Sequence, residues 1–257
     1  VNASLDLLAP DLERRFGGLR RLYGDAGYER VRALRVGVVG LGGVGSWTVE
    51  ALARSGVAEL TLVDMDHVAE SNINRQVQAV GASIGQSKGL ALQARIADIH
   101  PGCRVNFIDD FVTADNWPSL LVHEVDVLVD ACDQVQAKAA MAAWSLQRGV
   151  PLVSVGAAGG KQRPQAVEVD DLSLVTHDPL LASLRQRLRK HHGAARTGKM
   201  GVRCVFSREP VMPPADASCD VDGSLNCHGY GSSVTVTATF GFVAASDALH
   251  CALRRIE

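Results

Sequence analysis

Apolar residues along this chain gather into short runs that alternate with longer stretches of helical character. The runs at 35–39, 59–63, 104–108, 125–130 and 151–155 hold mostly Val, Leu and Ile. Strands buried on both faces read as near-continuous apolar runs, so these five predict parallel strands with helices between them. The first thirty residues read as helical and precede the sheet. Beyond the fifth run, 165–169 predicts another strand and 179–190 a helix. His100-Pro101-Gly102 marks a turn, and 208–231, with Pro210, Pro213, Pro214 and several glycines, reads as an irregular loop. Alternating strands and helices predict an α/β, Rossmann-like fold with a mostly parallel sheet and flanking helices.

Residues 223–246 contain no Asp, Glu, Lys or Arg. Their apolar part, 234–245, is about a dozen residues long and Asp247 follows it, whereas a membrane span needs roughly twenty. A buried helix and no membrane span are therefore expected. Trp47, Trp117 and Trp144 are expected in the core. The 257 residues are 47% hydrophobic, enough for one large domain with a continuous sheet over 1–257. The first residues carry neither a basic flank nor an apolar core, so no signal peptide is expected. Six cysteines form no CxxC pair. The expectation is no zinc site, reduced thiols and a cytoplasmic location.

The turn after the first run is GLGGVG, residues 40–45, and a helical segment follows from Ser46. Gly40, Gly42, Gly43 and Gly45 are expected to bind nucleotide. Glycines here allow a tight bend, close backbone approach to phosphate and close packing of the helix whose N-terminus faces the anion. The second run ends on Asp64, where a carboxylate can accept ribose hydroxyls. A nicotinamide cofactor would satisfy these residues equally well. A triphosphate carries more charge and recruits cations. Asp66, Asn74, Arg75, Lys88 and Asp133 all lie just past strand ends, where such sheets bind ligands. Asn74, Arg75 and Lys88 fit phosphates, and Asp133 with Asp66 fits Mg2+. ATP with Mg2+ is the expected ligand, and 35–155 is the nucleotide-binding half.

Formal net charge is only −2, yet no acidic residue lies between Asp178 and Glu209. That interval carries Arg185, Arg187, Arg189, Lys190, Arg196, Lys199, Arg203 and Arg208. Ordinary surfaces intersperse signs, so a phosphate backbone is the simplest partner. This makes 156–257 the expected substrate half.

GLGGVGSW, LVDMD, NINRQ, Lys88 and DACD resemble the adenylating domain of the ThiF/MoeB superfamily, whose larger relatives activate ubiquitin. RFGG and RLYG near the start, DDFVTADN, PLVSVGAAGG, DPLLASLRQRL, GKMGVRCVFSRE and VTVTATFGFVAASDAL resemble the bacterial tRNA threonylcarbamoyladenosine dehydratases. These blocks run from about Arg15 to Leu253. The resemblance implies an adenylate-forming, ATP-dependent enzyme that dehydrates threonylcarbamoyladenosine in tRNA to a cyclic nucleoside. It implies a homodimer in which an N-terminal arginine reaches the partner's phosphates. Sulfur-carrier relatives hold that arginine in an Arg-aromatic-x-Arg motif; here Gly18 stands last, so Arg15 and Arg21 are both candidates. Cysteine-desulfurase and sulfur-acceptor proteins are an implied partner class.

Cys227 aligns with a cysteine of the dehydratases. The reaction needs no covalent catalysis, so a buried or structural thiol is the default reading. Three other functions stay open. The chain could adenylate a ubiquitin-like sulfur carrier protein, against which the absent CxxC pairs and the basic interval count. It could be a nicotinamide dehydrogenase, which Asn74, Arg75 and Lys88 disfavour, or a nucleotide-binding adaptor without turnover.

Overall fold

The computed structural model describes residues 10–212 and 230–254. Its centre is one seven-stranded sheet in the order β3-β2-β1-β4-β5-β7-β6. The strands are β1 (Arg35–Val39), β2 (Glu59–Val63), β3 (Arg104–Ile108), β4 (Val127–Asp130), β5 (Leu152–Val155), β6 (Val167–Asp171) and β7 (Arg203–Ser207). All neighbours pair in parallel except β6, which runs antiparallel to β7 at the edge.

The helices are α1 (Leu12–Phe16), α2 (Gly18–Ala33), α3 (Gly45–Arg54), α4 (Lys88–Ile99), α5 (Val135–Arg148), α6 (Pro179–His191) and α7 (Val234–Leu253). Each face of the sheet carries its own core. Val36 and Val38, Leu60 and Leu62, and Val127 and Val129 point to one face, where α3, α4 and α7 cover them. Val39, Val63, Leu128 and Phe206 are in the opposite core, under α5 and α6. Burial on both faces explains why β1 and β2 are apolar at nearly every position.

The strand ends differ from the sequence pattern for local reasons. β4 starts at Val127, because the Asp126 carboxylate is turned onto the Arg35 backbone N–H and guanidinium. β5 starts after Pro151, which has no N–H to give a ladder. β6 starts two residues later than its pattern, after a short 3₁₀ turn at Pro164–Ala166. β7 was hidden in the basic interval. It forms because Cys204, Val205 and Phe206 are buried while Arg203 finds a carboxylate elsewhere.

α7 outruns the apolar stretch that predicts it, because Asp247 is neutralised by Arg203 at 2.6 Å. By length and composition α7 could cross a membrane. It instead buries Val236, Phe240, Ala244, Ala245 and Ala248 in the core. Gly241 lets it lie against α3: a Cβ there would meet the Val44 carbonyl oxygen at 2.6 Å, and Thr48 Oγ1 donates to the Gly241 carbonyl at 3.1 Å. Trp117 and Trp144 pack edge to face, with ring centroids 5.3 Å apart. Trp47 packs on Phe242.

Candidate functional site

β1 is followed in space by β2 and β3 on one side and by β4 and β5 on the other. The crevice at the carboxyl ends of β1 and β4 is thus the switch point where open α/β sheets bind ligands. The 40–45 loop leaves β1 there, and 130–133 leaves β4 beside it. The two loops touch. Gly40 has φ +85°, and a Cβ on it would meet the Ala131 carbonyl and Cys132 nitrogen at 2.9 Å. A Cβ on Gly45 would run into the Gly40 carbonyl oxygen. Both positions therefore require glycine, and α3 begins at Gly45 with its amides open to an anion.

Gly42 differs from Gly40 and Gly45 in what surrounds it. A Cβ on it would meet only Gln76 Nε2, at 4.0 Å, so the chain's own packing leaves room for a side chain there. Its carbonyl accepts from the Ser46 N–H at 3.1 Å, which ties it to the first turn of α3. Of the three roles expected of these glycines, only close approach of a ligand to the backbone is left for Gly42.

The segment after β2 folds back over this loop. The Asp64 carboxylate accepts from the Leu41 N–H at 2.6 Å and the Asp66 N–H at 2.8 Å. Burial pushes this carboxyl above the ordinary carboxylate range, while the nearby Lys88 ammonium pulls it down. Gln78 donates to the Leu41 carbonyl at 3.0 Å and to Gln76 at 3.1 Å. Trp47 Nε1 donates to the Arg75 carbonyl at 2.9 Å, fixing that backbone on α3. A Cβ on Gly43 would lie 3.3 Å from the Arg75 side chain, so the structure brings Arg75 to the glycine loop. Its guanidinium rests on the Ser71 carbonyl at 2.5 Å and Asn74 Oδ1 at 2.9 Å. The Asn74 amide donates to the Ser232 carbonyl just before α7.

Lys88 opens α4, and a bridge between His67 and Ser87 draws it under the β2 end. Its ammonium is buried and pairs with the exposed Asp66 at 2.7 Å. Asp66, expected beside Asp133 on Mg2+, is thus engaged with a cation here. Asp133 is exposed, and its carboxylate meets the Gln134 amide at 3.3 Å, with no cation on it among the described residues. No group of three or more His, Cys, Asp or Glu side chains gathers among the described residues.

Beneath the 130–133 loop lies a charged group that sequence reasoning missed. Lys138 and Asp130 are both 0% exposed and pair at 3.0 Å. Lys138 also donates to the Val155 carbonyl at 2.7 Å, and Ser154 Oγ donates to Asp130 at 2.8 Å. Cys132 Sγ donates to the other Asp130 oxygen at 3.0 Å. Burial disfavours the Lys138 charge, but Asp130 outweighs it and holds the ammonium above its ordinary value. Burial and the Asp130 charge push the Cys132 thiol well up, so it stays protonated. The available signal was a lysine in the first turn of α5, at the edge of its apolar run Ala139–Trp144.

The two N-terminal arginines separate. Arg15 donates to the Asp98 and Ile99 carbonyls at 3.0 and 2.7 Å, capping the end of α4. That end precedes β3 and lies opposite the glycine loop, so Arg15 is committed away from its own crevice. Arg21 is exposed and makes no ion pair or hydrogen bond among the described residues.

The basic interval also divides. Arg203 pairs with Asp247, and Arg208 with Glu168 at 2.9 Å, so two of its charges are answered from outside the interval. Arg185 donates to the Leu172 and Val175 carbonyls, and Arg189 to the Ala195 carbonyl. Arg187, Lys190, Arg196 and Lys199 have no carboxylate partner among the described residues. The 156–160 loop packs Gly156 on Asp178 and Gly160 on Val211, so it faces the start of α6. Cys227 and its neighbour His228 lie outside the described residues.

The ThiF family model matches residues 15–257. The tRNA threonylcarbamoyladenosine dehydratase of Escherichia coli (strain K12) is 43% identical over 247 residues, which is 92% of each chain. The solved structure of E. coli tRNA N6-threonylcarbamoyladenosine dehydratase in complex with AMP matches with a TM-score of 0.87 and 41% identity, covering 96% of this chain and 97% of that one. The complex of the same enzyme with ATP matches with a TM-score of 0.86 and 41% identity, over the same shares. With the glycine loop, the carboxylate after β2 and the cations folded over them at one switch point, these likenesses have a single reading: this chain belongs to the ThiF family.

Proposed function

We propose that this protein is an ATP-dependent dehydratase that cyclises threonylcarbamoyladenosine in tRNA through an acyl-adenylate. The observation that carries the reading is the convergence of Gly40–Gly45, Asp64, Arg75, Lys88 and Asp133 at one crevice of a fold whose relative binds both ATP and AMP. The nucleotide's ribose is held by Asp64, which trades its Leu41 and Asp66 amides for hydroxyl donors. Loop amides at the start of α3 hold phosphate, which approaches over Gly42, and Arg75 and Lys88 face the charge that builds there.

The threonyl carboxylate attacks the α-phosphorus, and the bond to pyrophosphate breaks. A nitrogen of the same side chain then closes on the activated carbonyl and loses its proton, and the carbonyl–AMP bond breaks. The net change is loss of one water from the nucleoside, with ATP giving AMP and pyrophosphate. Fixed donors and cations contribute most where oxygen gains charge. Ring closure gains from being intramolecular.

Mg2+ is bound through one or two carboxylates plus phosphate oxygens and waters. Asp133, exposed and without a cation partner among the described residues, fits that demand, and the metal would neutralise phosphate charge. Of the two N-terminal arginines, Arg21 has no partner among the described residues and is the one placed to cross to a second copy of the chain, with a homodimer as the working assembly, in the cytoplasm. Sulfur-transfer proteins are candidate further partners.

The test is nucleoside mass spectrometry of threonylcarbamoyladenosine-bearing tRNA after incubation with the protein, ATP and Mg2+. The expected product is a nucleoside lighter by one water, formed with AMP. Pyrophosphate exchange stimulated by a sulfur carrier protein, with the tRNA unchanged, would replace this reading with a carrier adenylyltransferase.

A further inference from the structure

α6 borders two cavities that share Ala182 and Arg185 and so form one groove. The upper part, about 350 Å³, is apolar on Val175, Pro179, Pro210 and Val211. The lower part, about 470 Å³, is lined by Gln186, Arg189, Lys190 and Arg196. Direction follows from the caps. Asp178, at the N-cap of α6, accepts from the Ala157 N–H just past β5, and Pro210 follows β7. The apolar end therefore opens at the carboxyl edge of the sheet, the edge that holds the glycine loop. The basic end lies further down α6.

His177 stands at the mouth of the apolar part with φ +59°, a conformation that costs a non-glycine residue energy and persists only where its surroundings impose it. Here they do. Buried Lys161 donates to the His177 carbonyl at 3.0 Å, and the neighbouring Asp178 is locked by the Ala157 and Leu181 amides. Burial pushes the Lys161 ammonium below its ordinary range. The backbone of His177 is thus fixed beside the apolar hollow with its imidazole exposed, 3.0 Å from Thr176 Oγ1. Lys190 and Arg196, further along the groove, have no carboxylate partner among the described residues.

We propose that this groove is a track for single-stranded RNA, with an unstacked base against His177 and the apolar end, and the neighbouring phosphates on Lys190 and Arg196. It rests on tRNA as the substrate and adds how the strand is led towards the crevice. An apolar hollow with an aromatic ring takes a base face, and unpaired cations take a phosphate backbone. A duplex cannot offer a free base to the hollow.

The groove is tested by filling it without touching charge. Ala182 and Gln186 are exposed on one face of α6, so Ala182→Trp and Gln186→Trp should each fold; ATP affinity checks this. Binding of a labelled single-stranded oligoribonucleotide is measured by fluorescence anisotropy across a salt series, alongside the same sequence as a duplex. Ala182→Trp should weaken the single strand about tenfold, with an unchanged salt slope and little effect on the duplex. Lys190→Glu with Arg196→Glu should also flatten the slope by about 1.4 units. Wild-type affinity for the single strand in both Trp variants overturns the groove, as does equal loss of single strand and duplex. Failure here with tRNA still cyclised removes only the groove. If wild-type protein leaves modified tRNA unchanged, the proposed function falls whatever the groove binds.

Discussion

At the scale of single residues, the proposed site divides into groups that would touch the nucleotide and others that hold those groups still. Asp133→Ala and Arg75→Ala should each lower ATP–pyrophosphate exchange by about 10²–10³, because the proposed reaction puts both where charge builds in the transition state. Exchange at the wild-type rate in folded Asp133→Ala protein would remove that carboxylate from the reaction. Lys138 has a different part, since it is fully buried and reaches solvent nowhere. Breaking a buried ion pair leaves one charge stranded, a loss of about 3–5 kcal/mol, whereas replacing both partners by apolar groups is often far milder. Lys138→Met should therefore be much less stable in urea than Lys138→Met combined with Asp130→Leu. Equal loss in the two proteins would mean that Lys138 stabilises by packing and not by its charge.

At the scale of elements, α6 and the α1–α2 pair make distinct predictions. Reversing Arg187, Arg189 and Lys190 to Glu should weaken tRNA binding and leave ATP affinity unchanged. The salt dependence should become shallower by roughly one unit per lost phosphate contact. Filter binding across a salt series checks both, and a slope equal to wild type would return this face to mere solvation.

The N-terminal helices are tied to the sheet through His100, which packs edge to face on Phe16 and lies 3.0 Å from the Arg32 guanidinium. Burial, then Arg32 and Arg15, hold this imidazole below its ordinary value of about 6.5. The stability it contributes is thus present above that value and is lost as pH falls towards its depressed folded value. Proteolysis of α1 and α2 should accelerate as pH falls below about 6.5. His100→Gln should flatten that acid response, and an unchanged pH profile would exclude His100 as its source.

At the scale of the whole molecule, the prediction concerns which chain completes which site. If Arg21 of one copy serves the crevice of the other, mixing Arg21→Ala with Asp133→Ala should rebuild one intact site in each heterodimer. Random mixing then restores about a quarter of wild-type sites. Co-expressed chains that stay as inactive as either parent would place the arginine elsewhere. Arg15→Ala should act on stability, since Arg15 caps α4.

The line between what was legible and what was not runs along sequence distance. The five strand runs, the glycine turn, Asp64 at the end of β2 and the helix at 179–190 are local patterns. Their periodicity and turn chemistry lie within a few residues, so the chain itself determined them, together with the family and the strand ends at which the glycine turn stands.

Tertiary structure decided everything that joins distant segments. It divided the glycines of the turn, pressing Gly40 on the 130–133 loop and leaving Gly42 open. It folded 72–78 over that turn through Trp47 and Gln78, and paired Lys88 with Asp66 across a bridge. It sent Arg15 to α4 and left Arg21 without a partner among the described residues. β7 and the far end of α7 were hidden for one shared reason: Arg203 and Asp247 each read as a solvated charge until the fold neutralised one with the other. The same holds for Lys138, an ordinary helix lysine in the sequence and a buried ion in the fold. A charge has no sequence signature for its partner, because the energy of the pair depends on a separation and a burial that exist only once the chain has closed.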